Sequence, residues 1–143
     1  MKRRSDEQGF FTIWTMGLCV MLLAMGGISL DLWRGFSERR ELAAITDSAA
    51  IAGAAQIDLD AFKTNGTVKL DPVLAKQAAL NYLNTEGATA KITYTTPPVI
   101  TVTDNQITIT ADTRIELTLM KIFRPGGTLD VTTHSAATPQ GAA

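Results

Sequence analysis

Residues 10–30 read FFTIWTMGLCVMLLAMGGISL, 21 positions without one charged side chain. As a helix rising ~1.5 Å per residue, the stretch reaches about 31 Å, the thickness of a bilayer's hydrocarbon core. Lys2, Arg3 and Arg4 precede it, and Asp31 and Arg34 close it. The reading is a membrane span, with Phe10, Trp14, Gly17, Ala24, Gly27 and Leu30 as its markers. A basic tail before an apolar run also describes a secretory signal, but a cleavable apolar region is shorter, about 7–15 residues. Gly27-Ile28-Ser29 offers one small-x-small cleavage site; the stronger expectation is an uncleaved anchor. Basic residues tie across the span, Lys2, Arg3 and Arg4 against Arg34, Arg39 and Arg40. The short, tightly grouped tail is expected in the cytoplasm, and the long C-terminal part outside.

Beyond the span, 31–56 holds no proline and keeps a helical pattern. Asp31/Arg34 and Arg34/Glu38 are neighbours on a helix surface. Leu42, Ile45, Ala49 and Ala52 form one apolar stripe, and the surrounding alanines are strong helix formers. One helix over about 10–56 is expected, half in lipid and half out; the alternative is two helices with a break at Gly26-Gly27 or Gly35, since glycine is weak in a soluble helix but common in membrane ones. The outer stripe has no use in lipid, so it is expected to bury against a domain, on a 72–86 helix and a sheet face carrying Ile107, Ile109, Ile115 and Leu117.

Residues 57–70 read as a linker with a turn at Thr64-Asn65-Gly66. Asp71-Pro72 then opens a second helix, Asp as N-cap and Pro at the first helical position, with Gly87 suited to its end. From Lys91 the period changes from 3.6 to 2. Ile92 and Tyr94 alternate with threonines, as do Ile100 and Val102. Residues 107–117 alternate without a break, the mark of a half-buried strand. Asp104-Asn105 suits a hairpin turn; with Thr103 opposite Gln106, Val102 faces Ile107 and Ile100 faces Ile109, so the apolar sets coincide. Residues 117–123 suit a short helix or a strand end, and 128–133 a last strand with Leu129 and Val131 on one face. The final residues, 136–143, read as frayed.

The expected fold is α+β: a long N-terminal transmembrane helix running into a small domain with a second helix and an antiparallel sheet of 3–4 strands. Its parts are a tail over 1–9, the span over 10–30, the helix continuation over 31–56 and an extracytoplasmic domain over 57–143. With net charge −1, nothing draws the chain to nucleic acid. The single cysteine, Cys19, lies inside the span, so the outer part has no internal disulfide and no His/Cys metal site. One histidine, His134, has no nucleophile elbow near it, and Gly126-Gly127 lacks the Lys of a phosphate loop. No catalytic, cofactor or metal residue is expected, and no small-molecule substrate.

Gly9-Phe10-Phe11-Thr12-Ile13 resembles the start of a type IV pilin. Trp14 stands where such pilins carry a Glu, a departure that speaks against cleavage before Phe10 and against pilin-style charge pairing. A closer resemblance covers about 6–56. Asp6-Glu7-Gln8-Gly9, then Gly27-Ile28-Ser29-Leu30-Asp31, then Thr46-Asp47-Ser48-Ala49-Ala50-Ile51-Ala52-Gly53-Ala54 resemble the TadG-like N-terminal region of the tight-adherence (Flp) pilus-assembly family. Gly9, Asp31, Asp47, Ala49, Ala50, Ala52 and Gly53 carry the motif. The resemblance implies a non-enzymatic, single-pass protein of a bacterial cytoplasmic membrane, serving Flp pilus assembly as a minor pilin-like or accessory subunit. Its implied partners are the lipid bilayer and other pilus subunits. Larger members carry a metal-binding D-x-S-x-S domain; that motif is absent here, so no metal site is implied. The alternative is a membrane-tethered binding or sensor module using the sheet face.

Overall fold

Helix α1, Arg4–Ala54, is unbroken over 51 residues in the computed structural model, which describes residues 4–118 and 126–140. At ~1.5 Å per residue it is about 77 Å long. It is the one described helix long and apolar enough to cross a membrane. Gly17 and Gly26 do not interrupt it, although nothing lies within 4 Å of where a Cβ would stand on either. Glycine is weak in a helix when water competes for the backbone, and lipid offers no such competition. Two hydroxyls in this stretch are satisfied by the helix itself: Thr15 donates to the Phe11 carbonyl at 2.8 Å and Ser29 to the Met25 carbonyl at 2.9 Å.

After α1 the chain turns into a short helix, α2, Leu59–Asn65. This corrects the linker read over 57–70. Asp58 caps α2 by accepting the Asp60 and Ala61 N–H groups, and Gly66, at φ 66°, ends it. Seven residues are too few to display a helical period, so the caps are its whole signature. The excursion is closed at its base by Asp58 N–H to Lys69 C=O at 2.8 Å and Asp71 N–H to Gln56 C=O at 3.0 Å.

Helix α3, Pro72–Thr89, starts where Asp71 accepts the Val73 and Leu74 N–H groups. It buries Ala75, Ala79, Leu83 and Gly87, one residue per turn. Gly87 is not its end, contrary to the sequence expectation. The left-handed residue that closes α3 is Lys91, at φ 57°. Ile92 N–H bonds to the Gly87 carbonyl at 2.9 Å and Lys91 N–H to the Ala88 carbonyl at 3.2 Å, a Schellman pattern. Gly87 is needed one turn earlier, because a Cβ there would stand 2.7 Å from Tyr94 Oη.

The sheet is an antiparallel meander of β1, Val99–Val102, β2, Ile107–Glu116, and β3, Thr128–Ala137. Ile92 and Tyr94 do not form a further strand; Tyr94 makes only an isolated bridge to Thr113. The β1–β2 register sets Ile100 against Ile109 and Val102 against Ile107, as the alternation requires. Along β2, Ile107, Ile109, Ala111, Thr113 and Ile115 all face the helices and are buried. Strand β3 runs through Ala137, past the 128–133 read from sequence and into the tail read as frayed. Of the 117–123 stretch, Leu117 is buried and Thr118 exposed; the expectation for the remainder falls outside the described residues.

One face of the sheet carries α1 and α3. Helix α1 lies over β3 and runs in the same direction: Gly35 sits beside Leu129, Thr46 beside Thr133 and Asp47 beside Ser135. From residue 35 to 47 a helix advances ~18 Å, and from 129 to 135 a strand advances ~20 Å, so the two stay in step. Helix α3 returns antiparallel to α1, with Ala75 and Ala79 against Gly53. Ala49, Ala50, Leu83, Ile107 and Ile109 lie in one cluster of the resulting core, and Leu42 packs with Ala111, Ile115 and Val131 in a second.

Candidate functional site

The candidate site is built on α1, which changes character along its length. In the inner half the large apolar side chains point away from the rest of the protein. Phe10 is 72% exposed, Trp14 63% and Leu23 77%. Side chains of this kind, left bare over a bilayer's thickness, are covered by lipid or by other apolar helices. This half is long and apolar enough to cross a membrane.

The change comes at Asp31, the first charged residue after the span, which is only 3% exposed. Its carboxylate accepts the Thr118 N–H at 3.1 Å, and Arg34 Nη1 donates to Thr118 Oγ1 at 3.3 Å. The end of the span is thereby tied to the chain just past β2. A carboxylate out of water is tolerable only when hydrogen-bonded, and here the bond also fixes a backbone donor.

From Leu42 outward α1 is a docking face. Leu42 and Ala49 are fully buried, while Ile45 and Ala52 are half-buried. Buried with the first pair are Thr46, Ala50, Gly53 and Ala54, so the face lies slightly round the helix from the stripe read in sequence. Thr46 hid from that reading because it is polar. Its hydroxyl donates to the Leu42 carbonyl at 2.7 Å and meets Thr133 Oγ1 at 3.2 Å, which leaves no orphan group. Ser135 Oγ donates to Asp47 Oδ1. Gly53 lies so close to its neighbours that a Cβ would collide with Ile107 Cδ1 and stand 3.0 Å from the Ala75 carbonyl oxygen. The small residues at 49, 50, 53 and 54 let α1, α3 and β2 approach closely.

The other face of the sheet is polar and self-paired across β2 and β3. Asp112 accepts Thr132 Oγ1 at 2.6 Å and Thr96 Oγ1 at 3.1 Å; these two hydroxyls, in that order, lower its pKa. Arg114 Nε donates to Asp130 at 2.7 Å, and that bond raises the Arg114 pKa. His134 Nδ1 and Thr110 Oγ1 are 3.0 Å apart on the exposed face. At the far end Lys69, raised by its hydrogen bond to Asp104, holds the β1–β2 turn at 2.8 Å. Tyr94, raised by burial, donates to the Leu83 carbonyl at 3.2 Å. Among the described residues no His, Cys, Asp and Glu cluster is arranged to hold a metal.

The family model for TadE/G-like Flp pilus-assembly proteins matches residues 9–56. Residues 9–56 are similar to the TadE/G-like segment of that family. The match covers about a third of the chain and lies almost wholly within α1, from just before the span to two residues past the helix end. This helix is similar to the corresponding segment of those pilus-assembly proteins. No curated protein and no solved structure matches the chain. Within the TadE/G-like segment, the structure places Gly9 on the exposed inner helix, Asp31 at the tie to Thr118, Asp47 at Ser135, and Ala49, Ala50 and Gly53 in the core. Ala52 is half-buried. The segment's partners inside the molecule, Thr118, Thr133, Ser135, Ala75 and Ile107, all lie outside the match.

Proposed function

We propose that this chain is a non-enzymatic, single-pass subunit of Flp pilus assembly, pilin-like in build and minor or accessory in role. Its N-terminus lies in the cytoplasm, and residues 57–143 form an extracytoplasmic domain. The observation that carries the reading is the division of α1. One unbroken 51-residue helix has an inner half with bare apolar side chains and an outer half buried under a sheet. Such a helix is a rigid rod: it fixes the domain at a set height and orientation on the membrane, as a building unit in an assembly requires. The TadE/G-like match over the same helix supports the pilus setting. The polar outer sheet face, with its hydroxyls and charges paired among themselves, offers no reactive constellation.

The test has two arms. A reporter active only outside the cytoplasm, fused after Ala143, should be active; activity of a cytoplasm-dependent reporter there would reverse the topology and remove the role. Detergent extraction followed by affinity isolation of the full-length chain should recover other pilus-assembly components. Recovery of none, with pili still made in a strain lacking this chain, would remove the assembly reading.

A further inference from the structure

A groove of about 510 Å³ opens where α1 leaves the span, between the helix and the start of β3. This is within the ~300–1,000 Å³ of ordinary ligand clefts. Leu32, Gly35 and Phe36 form its helix wall, Leu117 and Leu129 the opposite wall, and Arg39 stands at its outer rim. We propose that this groove holds one phospholipid of the leaflet that α1 enters, acyl chain against Leu32, Phe36, Leu117 and Leu129 and phosphate toward Arg39. The inference rests on the reading of α1 as a membrane anchor.

Three observations commit the groove to lipid. The first is height. If residue 30 marks the edge of the hydrocarbon, Leu32 to Arg39 rise ~3–14 Å above it, and the headgroup layer occupies roughly the first 5–8 Å. The groove thus begins inside the headgroup layer, and its Arg39 end starts from a backbone about 6–9 Å above that layer, with helix side chains leaning back toward the membrane side. The second is continuity. Leu30, Leu32, Trp33 and Phe36 are all at least half exposed, Trp33 to 69% and Phe36 to 61%, so bare apolar surface continues from the span to the groove, with Asp31 between them buried in the groove's lining. Trp is the side chain enriched at this depth. The third is charge. Asp31 accepts the Thr118 N–H, and Asp130 is paired with Arg114, so both carboxylates at the groove already hold donors within the molecule. Arg39 makes no ion pair among the described residues and stays available to a phosphate. An apolar wall below a cation matches an amphipathic ligand that enters sideways from the bilayer.

The full-length protein in nanodiscs of phosphatidylcholine and phosphatidylglycerol, doped with a phosphatidylglycerol bearing an acyl-chain diazirine, gives a direct test. After irradiation and digestion, lipid adducts are expected on 32–39 or 129–132 as well as on the span. Gly35→Leu, which fills the groove, should lower the groove adducts roughly tenfold and leave the span adducts unchanged. Arg39→Gln, an exposed change that leaves the packing alone, should lower the groove adducts about two- to threefold. Adducts confined to the span, or groove adducts indifferent to both variants, would overturn the proposal. So would a cross-link from the groove to a second copy or to another part of this chain in place of lipid. Absence of adducts on the span itself would instead overturn the anchoring reading beneath it.

Discussion

Asp31 and Thr118 are 87 residues apart in sequence and joined by a 3.1 Å hydrogen bond at the outer edge of the span. The bond belongs to a buried carboxylate and a backbone N–H, so removing the carboxylate leaves the donor without that acceptor. Asp31→Ala should destabilise the domain by ~1–3 kcal/mol, the usual cost of a buried group left unsatisfied. Asp31→Asn keeps an acceptor oxygen and should cost less. Denaturation of the full chain in detergent, followed by tryptophan emission, would rank the variants; equal midpoints for all three proteins would refute the tie.

Leu42 is fully buried and Ile45 only half-buried, so the two positions should respond unequally. Leu42→Ala should cost ~2–5 kcal/mol, a large share of the ~5–15 kcal/mol that holds a domain together. Ile45→Ala should cost less than Leu42→Ala. Urea midpoints of the two variants decide it, and the reverse order would put the docking face on the wrong side of α1.

Gly53 and Gly26 are both glycines of α1 with opposite surroundings. A Cβ at 53 meets Ile107 and a backbone oxygen of α3, which has little room to yield; a Cβ at 26 meets nothing. Gly53→Ala should lower stability by ~1–3 kcal/mol through overpacking, less whatever alanine adds in helix propensity. Gly26→Ala should leave the domain's unfolding midpoint unchanged. A stabilised Gly53→Ala protein would show that α1 and α3 have slack between them.

Asp112 supplies a pH dependence of known sign. Its folded pKa lies below the ordinary value because Thr132 and Thr96 donate to the carboxylate. Its contribution is therefore present above the unfolded pKa, ~3.9, and is lost as pH falls through the lower folded value. Acid titration of stability should be steeper for the unmodified chain than for Asp112→Asn at the acid end, and parallel near neutrality. Identical acid limbs would mean the two hydroxyls contribute nothing to holding the charge.

The span, the helix that continues it, the Asp71-Pro72 start of α3 and the β1–β2 register were legible from residues alone. Each rests on local pattern: an uncharged run long enough for a bilayer, a cap beside a proline, a period of two on both sides of a turn. Helix α2 was missed because its signal is two caps on either side of too few residues for a period. Gly87 was misread as a helix end because the same residue type serves close packing, and only the ring of Tyr94 above it shows which demand is in force. The TadE/G-like motif was readable as a string of residues, but not the reason for them. Thr46, Asp47 and Gly53 meet Thr133, Ser135 and Ile107, which lie 54 to 88 residues further along the chain. Sequence by itself determined that α1 is long and apolar enough to cross lipid and that its outer half seeks cover, because hydropathy and period are properties of neighbouring residues. Which side of that helix is covered, and what stands at the edge of the bilayer, was decided by the tertiary structure, because side-chain volume and hydrogen-bond partners take effect only when distant segments meet.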